Sequence, residues 1–101
     1  MIIYNVTIKV DASIAAQWLQ WLLEEHAPAI IATDCFTQYH VIKLLEVDDA
    51  EGPTYAVQYH ANSMEDYQRY LDEFADNFRK QSTNKWGDRF IAFRTLMQVV
   101  K

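Results

Sequence analysis

The fold is decided by residues 54–61, which read Thr54-Tyr55-Ala56-Val57-Gln58-Tyr59-His60-Ala61. Aromatic and β-branched side chains at positions 55, 57 and 59 alternate with small or polar ones. This period-two pattern is typical of a β-strand with one apolar and one polar face. We place the segment at the centre of a sheet. Its apolar face requires helices over it, and its polar face, which carries Gln58 and His60, is the main indication of a function.

Three further segments alternate in the same way and are predicted to be strands: Ile2–Val10, Cys35–Val47 and Arg89–Val100. A first helix is expected between the first two of these strands. Ser13 is suited to its N-cap, since a hydroxyl oxygen can accept from an unpaired backbone N–H. The helix is predicted to end near Glu25 or His26, because Pro28 biases Ala27 toward extended geometry.

A second helix is predicted to begin after Ser63, with Asp66 three residues further on as in a capping box. It runs to about Asn84, with Gly87 just beyond its end. The resulting order, β-α-β-β-α-β, predicts an α+β fold of the ferredoxin-like type. In this fold a four-stranded antiparallel sheet carries two helices on one face.

Composition excludes several classes of protein. With 101 residues we expect a single domain, residues 1–101. A formal net charge of −5 argues against nucleic acid, whose binding depends on lysine and arginine neutralising phosphates, and against an anionic membrane surface. Cys35 is the only cysteine and no basic leader is visible, so we expect a cytoplasmic protein.

The sheet face without helices is predicted to mix polar and apolar side chains. From the register we expect it to carry Asn5, Thr7, Lys9, Gln38, His40, Gln58, His60, Arg94 and Gln98, together with Ile3, Phe36, Ile42 and Leu96. Such a mixture suits a dimer interface or a ligand cleft better than plain exposure to solvent.

Several segments resemble those of a family of short bacterial proteins whose function is not known: Met1-Ile2-Ile3-Tyr4-Asn5-Val6-Thr7, Trp18-Leu19-Gln20-Trp21 with His26-Ala27-Pro28, Thr54-Tyr55-Ala56-Val57-Gln58-Tyr59, Lys85-Trp86-Gly87-Asp88-Arg89-Phe90 and Ala92-Phe93-Arg94-Thr95-Leu96. More broadly, the layout resembles the dimeric α/β-barrel group, which includes cofactor-independent monooxygenases and mutarotases. The resemblance implies a homodimer. It also implies that His26 lies at the mouth of the barrel.

Five candidate site residues are predicted on the polar face. His60, alone or paired with His40, could act as a general base, or could be an ordinary imidazole near solvent or an interface. Arg94 could bind the carboxylate of a ligand or form a salt bridge within the protein. Gln58 and Asn5 could orient a ligand, or satisfy each other or the backbone.

Other chemistry has little support in the sequence. His26 is also favoured near a helix C-terminus for electrostatic reasons alone. The three histidines and Cys35 have no metal-site spacing, and two glycines cannot form a glycine-rich phosphate loop. We therefore expect no metal and no cofactor.

Three functions are compatible with this sequence. The first is a non-catalytic dimeric protein that binds a small molecule or a partner through the open sheet face. The second is a cofactor-independent enzyme of the monooxygenase or isomerase type, with His60 or His40 as its base and Arg94 and Gln58 holding the substrate. The third, an RNA-binding sheet, has the right topology but lacks basic charge and paired aromatics.

Overall fold

The computed structural model describes residues 1–101. The elements follow one another as β1 (Ile2–Val10), α1 (Ala15–Trp21), a π-helical turn (Leu22–His26), α2 (Ala27–Ile31), β2 (Gln38–Lys43), β3 (Thr54–Ala61), α3 (Met64–Glu73), α4 (Ala75–Trp86) and β4 (Phe90–Gln98). The strands form one antiparallel sheet in the order β2-β3-β1-β4. The predicted ferredoxin-like α+β fold is confirmed, and β3 is one of its two interior strands.

The second strand is shorter than predicted. Cys35 and Phe36 precede it, and both side chains are buried in the core. The chain joins the sheet at Thr37, whose N–H donates to the carbonyl of His60 over 2.8 Å. The apolar residues before the strand therefore belong to the core, whereas Leu45 and Val47 after it are exposed.

The first helix differs from its prediction at both ends. Ser13 does not cap it; its N–H and its hydroxyl both donate to the carboxylate of Asp11, and Ile14 occupies the N-cap position. The chain also remains helical past Pro28, since Ala27 has φ −65° and ψ −43°. Pro28 lies in the first turn of α2, where a missing N–H costs little. The wider π-helical turn before it allows the helix to continue.

The second helix is capped as predicted. The Ser63 hydroxyl accepts from the N–H of Asp66 over 3.2 Å, and Gly87 ends α4 with φ 64°. The helix is broken at Phe74, where φ is −128°, so that it divides into α3 and α4.

The core lies between the helices and one face of the sheet. Tyr4 and Ile8 from β1, with Val57 and Tyr59 from β3, are all buried there. The opposite face, here called the open face, carries Ile3, Asn5, Thr7, Lys9, Gln38, His40, Ile42, Thr54, Ala56, Gln58, His60, Ile91, Phe93, Thr95 and Met97.

The prediction that Arg94 lies on the open face is wrong. Arg94 is paired with Val6 across β1 and β4, and directly paired residues share a face, so it points toward the helices. Leu96 and Gln98 share that side, because side chains alternate along a strand. Phe36, also expected on the open face, belongs to the core.

No helix combines the length and the apolar character that crossing a membrane requires.

Candidate functional site

A partly open cavity of about 410 Å³ lies between the sheet and the helices. Thirteen of its nineteen lining residues are hydrophobic, so most of its wall is apolar. Trp18, Leu22 and Ile30 from the first helix, together with Val57 and Tyr59 from β3, are nearly or fully buried within that wall. The other six lining residues are His26, Arg79, Ser82, Thr83, Gly87 and Arg94, and Tyr4, counted among the hydrophobic residues, adds a hydroxyl group to the imidazole, hydroxyl and guanidinium groups of these side chains.

Two arginines converge on one phenol at this cavity. Arg79 on α4 donates from Nη2 to the Tyr4 hydroxyl over 3.2 Å, and Arg94 on β4 donates from Nε to the same oxygen over 3.1 Å. Tyr4 is only 3% exposed, so its oxygen is fixed by the packing around its ring. We call these three side chains the arginine–tyrosine cluster.

Neither arginine of the cluster is neutralised by an acid. The only ion pair in the structure joins Lys80 to Asp76 on the outer surface of α4. Burial lowers the pKa of Arg79, but its hydrogen bond to Tyr4 and the nearby tyrosines raise the pKa by more, so the guanidinium stays charged. Two positive charges therefore face the cavity in a protein whose net charge is −5.

Aromatic rings surround Tyr4 and hold it in place. Its ring centroid lies 5.5 Å from that of Tyr67, 5.6 Å from that of Tyr70 and 6.1 Å from that of Tyr59. Burial raises the pKa of all three neighbouring phenols. Their hydroxyl groups consequently remain protonated at neutral pH and cannot supply the negative charge that the arginines lack.

His26 occupies the end of the π-helical turn and lines the same cavity. Its ring stacks on Trp21 with 4.4 Å between centroids and meets the edge of Phe78 at 5.7 Å. Burial lowers its pKa to about 4, so the imidazole is neutral at pH 7. Its Nδ1 is buried without a hydrogen-bond partner. Single π-helical turns inside α-helices often occur at functional sites.

The predicted site residues divide between the two faces of the sheet. His26 and Arg94 line the cavity, whereas Asn5, Gln58 and His60 lie on the open face. Arg94 therefore cannot act together with those three residues within one chain. A ligand-binding role for Asn5, Gln58 or His60 stays a prediction.

On the open face the two histidines are neighbours, as predicted. The His40 and His60 rings lie 5.2 Å apart in an edge-to-face arrangement. Burial, and then the neighbouring His40, lower the pKa of His60, and its Nε2 is buried without a partner. Asn5 donates to the Thr7 hydroxyl over 3.0 Å, but its Oδ1 is also unpaired.

Sequence reasoning missed Arg79 and the hydroxyl of Tyr4. The alternation of β1 predicts an apolar row of Ile2, Tyr4, Val6, Ile8 and Val10, which is correct for the Tyr4 ring. A buried tyrosine, however, usually requires a partner for its hydroxyl. That requirement was the available signal that a polar group reaches into the core. It could not indicate which of the chain's cations supplies the hydrogen bond.

Comparison with known proteins places the chain among ferredoxin-like structures. A Deinococcus radiodurans protein provisionally named as an antibiotic biosynthesis monooxygenase is 16% identical, with a TM-score of 0.72 over 100% of this chain and 94% of its own. A dimeric ferredoxin-like protein from an uncultured marine organism is 14% identical, with a TM-score of 0.73 over 100% and 96%. At such identities the likeness extends to the fold alone.

A third similar structure holds a ligand. It is a mutant of the protein MhuD with two manganese protoporphyrin IX molecules bound per active site, 17% identical, with a TM-score of 0.66 over 100% of this chain and 96% of its own. No curated protein matches the sequence. Residues 1–100 match the family described as "Domain of unknown function (DUF4286)".

The low pKa of His26 predicts a specific dependence of stability on pH. An unfolded imidazole titrates near 6.5 and the folded one near 4, so the unfolded state binds more protons between these values. The free energy of unfolding must then fall as the pH falls from 6.5 to 4. At about 1.4 kcal/mol per pH unit, the loss is about 3 kcal/mol. Denaturant unfolding of the wild type and of His26→Phe, which keeps a ring but cannot titrate, measures it.

The control is Gln17→Phe, which introduces the same ring at an exposed position of α1 that does not titrate. We expect the difference in the free energy of unfolding between wild type and variant to depend strongly on pH for His26→Phe and not for the control. Parallel pH profiles for the wild type and His26→Phe would contradict the burial argument, as would an NMR titration that places the pKa of His26 near 6.5.

Proposed function

This chain belongs to the DUF4286 family, a domain of unknown function, and we propose that it binds a small, largely apolar molecule in the cavity between its helices and its sheet. One observation carries the proposal. A chain of 101 residues keeps about 410 Å³ of space beside its core instead of filling it. Protein interiors are otherwise close-packed, and unfilled space costs stability.

The dimensions and lining of the cavity support this function. Binding sites for small molecules typically measure about 300–1,000 Å³ and combine apolar walls with a few polar groups that fix orientation. Here the walls are aromatic and aliphatic, and the polar groups are the arginine–tyrosine cluster and His26. The exposed Arg94 lies at the rim of the cavity, where a ligand can enter from solvent.

We further propose that two copies associate through the open face. Ile91 and Phe93 are 57% and 64% exposed there, which makes it more apolar than an ordinary solvated surface. Beside them, Asn5 Oδ1 and His60 Nε2 are buried yet unpaired. A second copy would cover the apolar side chains and remove them from water.

A second candidate function is an enzyme that needs no cofactor, and the position of His26 favours it. A neutral imidazole with an unpaired nitrogen, held beside an apolar cavity, can accept a proton from a bound molecule. In that case His26, rather than His40 or His60, is the base. The proposal fails if a compound that binds the cavity is recovered unchanged after incubation with oxygen, or if His26→Phe converts it as fast as the wild type does.

The proposed place of action is the bacterial cytoplasm. A single, fully buried cysteine suits a reducing compartment, in which disulfides are not needed.

Filling the cavity should abolish binding without unfolding the protein. Ala92 lines the cavity from β4, and Ala92→Phe would place a ring in the empty space. We expect it to remove binding of naphthalene- and indole-sized aromatic compounds, tested as a mixed set of neutral and charged members by ligand-observed NMR. The melting temperature should change little, because the added ring occupies space that was already empty.

The matched control is Ala16→Phe, which adds the same ring at an exposed position of α1. It should leave binding unchanged. If no member of the set binds to the wild type, or if Ala92→Phe binds as well as the wild type, the cavity is not the binding site.

For the dimer, Phe93→Glu is the direct test. It would place two carboxylates, one from each copy, in the apolar part of the interface. We expect the dissociation constant to rise by about 100-fold or more, since central aromatic residues contribute most to such contacts. Light scattering over a wide range of protein concentrations measures it.

Met64→Glu is the control, because Met64 is 50% exposed at the start of α3, on the helical side of the molecule. It should leave the dimer intact. A wild type that is monomeric at all concentrations, or a Phe93→Glu variant that dimerises normally, would exclude the open face as the interface.

A further inference from the structure

We propose that the ligand of this cavity is a monocarboxylate on an apolar, aromatic-sized body, and that the arginine–tyrosine cluster recognises its carboxylate. This inference rests on the proposed function and adds the chemical class of the ligand. It follows from the hydrogen-bonding groups that the cluster leaves unused, from its uncompensated charge and from the shape of the lining around it.

The cluster has unused donors in a suitable arrangement. Arg94 uses only Nε for Tyr4, so its two terminal nitrogens remain free as a planar fork. Arg79 uses Nη2, and its Nε is buried without a partner. The Tyr4 oxygen accepts from both arginines, and the structure gives its own hydrogen no acceptor. The free donors thus belong to three side chains around one oxygen, and a carboxylate can accept from several of them at once.

Charge points to the same class of ligand. Two guanidinium groups converge on one oxygen atom, and no carboxylate lies within salt-bridge distance of either. Partly buried cations are normally paired with an acid, and this chain has fourteen acidic residues that could have served. A bound anion would relieve the repulsion between the two arginines and supply the missing partner.

The surroundings favour a monocarboxylate over a phosphate. Ser82, Thr83 and Gly87 bring the C-terminal end of α4 to the cavity wall. The partial negative charge of a helix C-terminus disfavours a dianion nearby. Arginine forks bind both kinds of anion, but a phosphate site usually adds backbone N–H groups from a glycine-rich loop or a helix N-terminus, and this lining holds the opposite end of a helix. The hydrophobic majority of the lining then accommodates the uncharged remainder of the molecule.

The test compares two ligands that differ only in the proposed head group, 1-naphthaleneacetic acid and its neutral amide. Binding is measured by calorimetry or NMR at pH 7, where the acid is ionised. We expect the acid to bind at least about tenfold more tightly, since hydrogen bonds to charged groups are the stronger ones. The preference should shrink as salt is added, because Arg94 is exposed.

Arg94→Gln is the first variant, since Arg94 is exposed and its removal leaves the core in place. We expect it to reduce the preference for the acid by about tenfold while binding of the amide changes little. Arg94→Lys keeps the charge but loses the fork, and should recover only part of the preference. Arg79→Lys, which keeps a donor for Tyr4, tests the second arginine. The control, Lys80→Gln, removes the same charge from the outer side of α4 and should have no effect.

The outcomes separate this inference from the proposed function. If acid and amide bind equally well and Ala92→Phe abolishes both, the cavity binds ligands but the inference is wrong. If the acid is preferred but neither Arg94→Gln nor Arg79→Lys weakens the preference, the carboxylate is recognised elsewhere and the inference is wrong. If neither compound binds while members of the mixed aromatic set do, the inference is wrong and the proposed function stands; if no compound of either kind binds, both fail.

Discussion

The pairing of β1 with both β3 and β4 is the constraint on which the rest of this structure depends. β1 is the only strand that touches both of these partners, and its register fixes which side chains of all three share a face. Tyr4 is paired with Tyr59 on one side and with Leu96 on the other. A shift of one residue in the pairing of β1 with β4 would send Arg94 to the face opposite Tyr4, and the same shift between β1 and β3 would separate Tyr4 from Tyr59.

Tyr4 connects this sheet to the site. Its ring contributes to the aromatic packing of the core, and its hydroxyl is the point at which α4 and β4 meet through their arginines. Tyr4 therefore contacts both the helical layer, through Arg79, and the neighbouring strand, through Arg94. Because its ring is buried and packed, the two guanidinium groups are held close together although long arginine side chains are otherwise mobile.

The strands and their order were predictable because their alternation is regular, and β1 and β3 have the boundaries that the pattern gave. The side of the sheet on which each β4 side chain lies could not be predicted, because both alternating rows of this strand mix polar and apolar residues. The predicted register placed Arg94 on the open face, but a cavity and the Tyr4 hydroxyl allow it to point inward. Phe93 was the better indicator, since a large ring can remain on a face that a second chain would cover. The cavity could not be predicted, because the periodicity of apolar residues does not show whether the space between helices and sheet is filled.

The π-helical turn fits one residue more than a regular helical turn into the wall of the cavity. An ordinary helix advances by about 100° per residue, so the one extra residue in this turn rotates everything after it. That offset brings Leu22 and Ala27, five positions apart, onto the same buried side. Regular α-helical bonding with all of these residues kept would turn Ala27 by about 100° away from the core, whereas a single deletion within residues 22–26 would place Ala27 four positions after Leu22, again on the buried side. The extra residue therefore leaves the buried side of the following helix unchanged, and its consequence is local, since it widens the turn that ends at His26 beside the cavity.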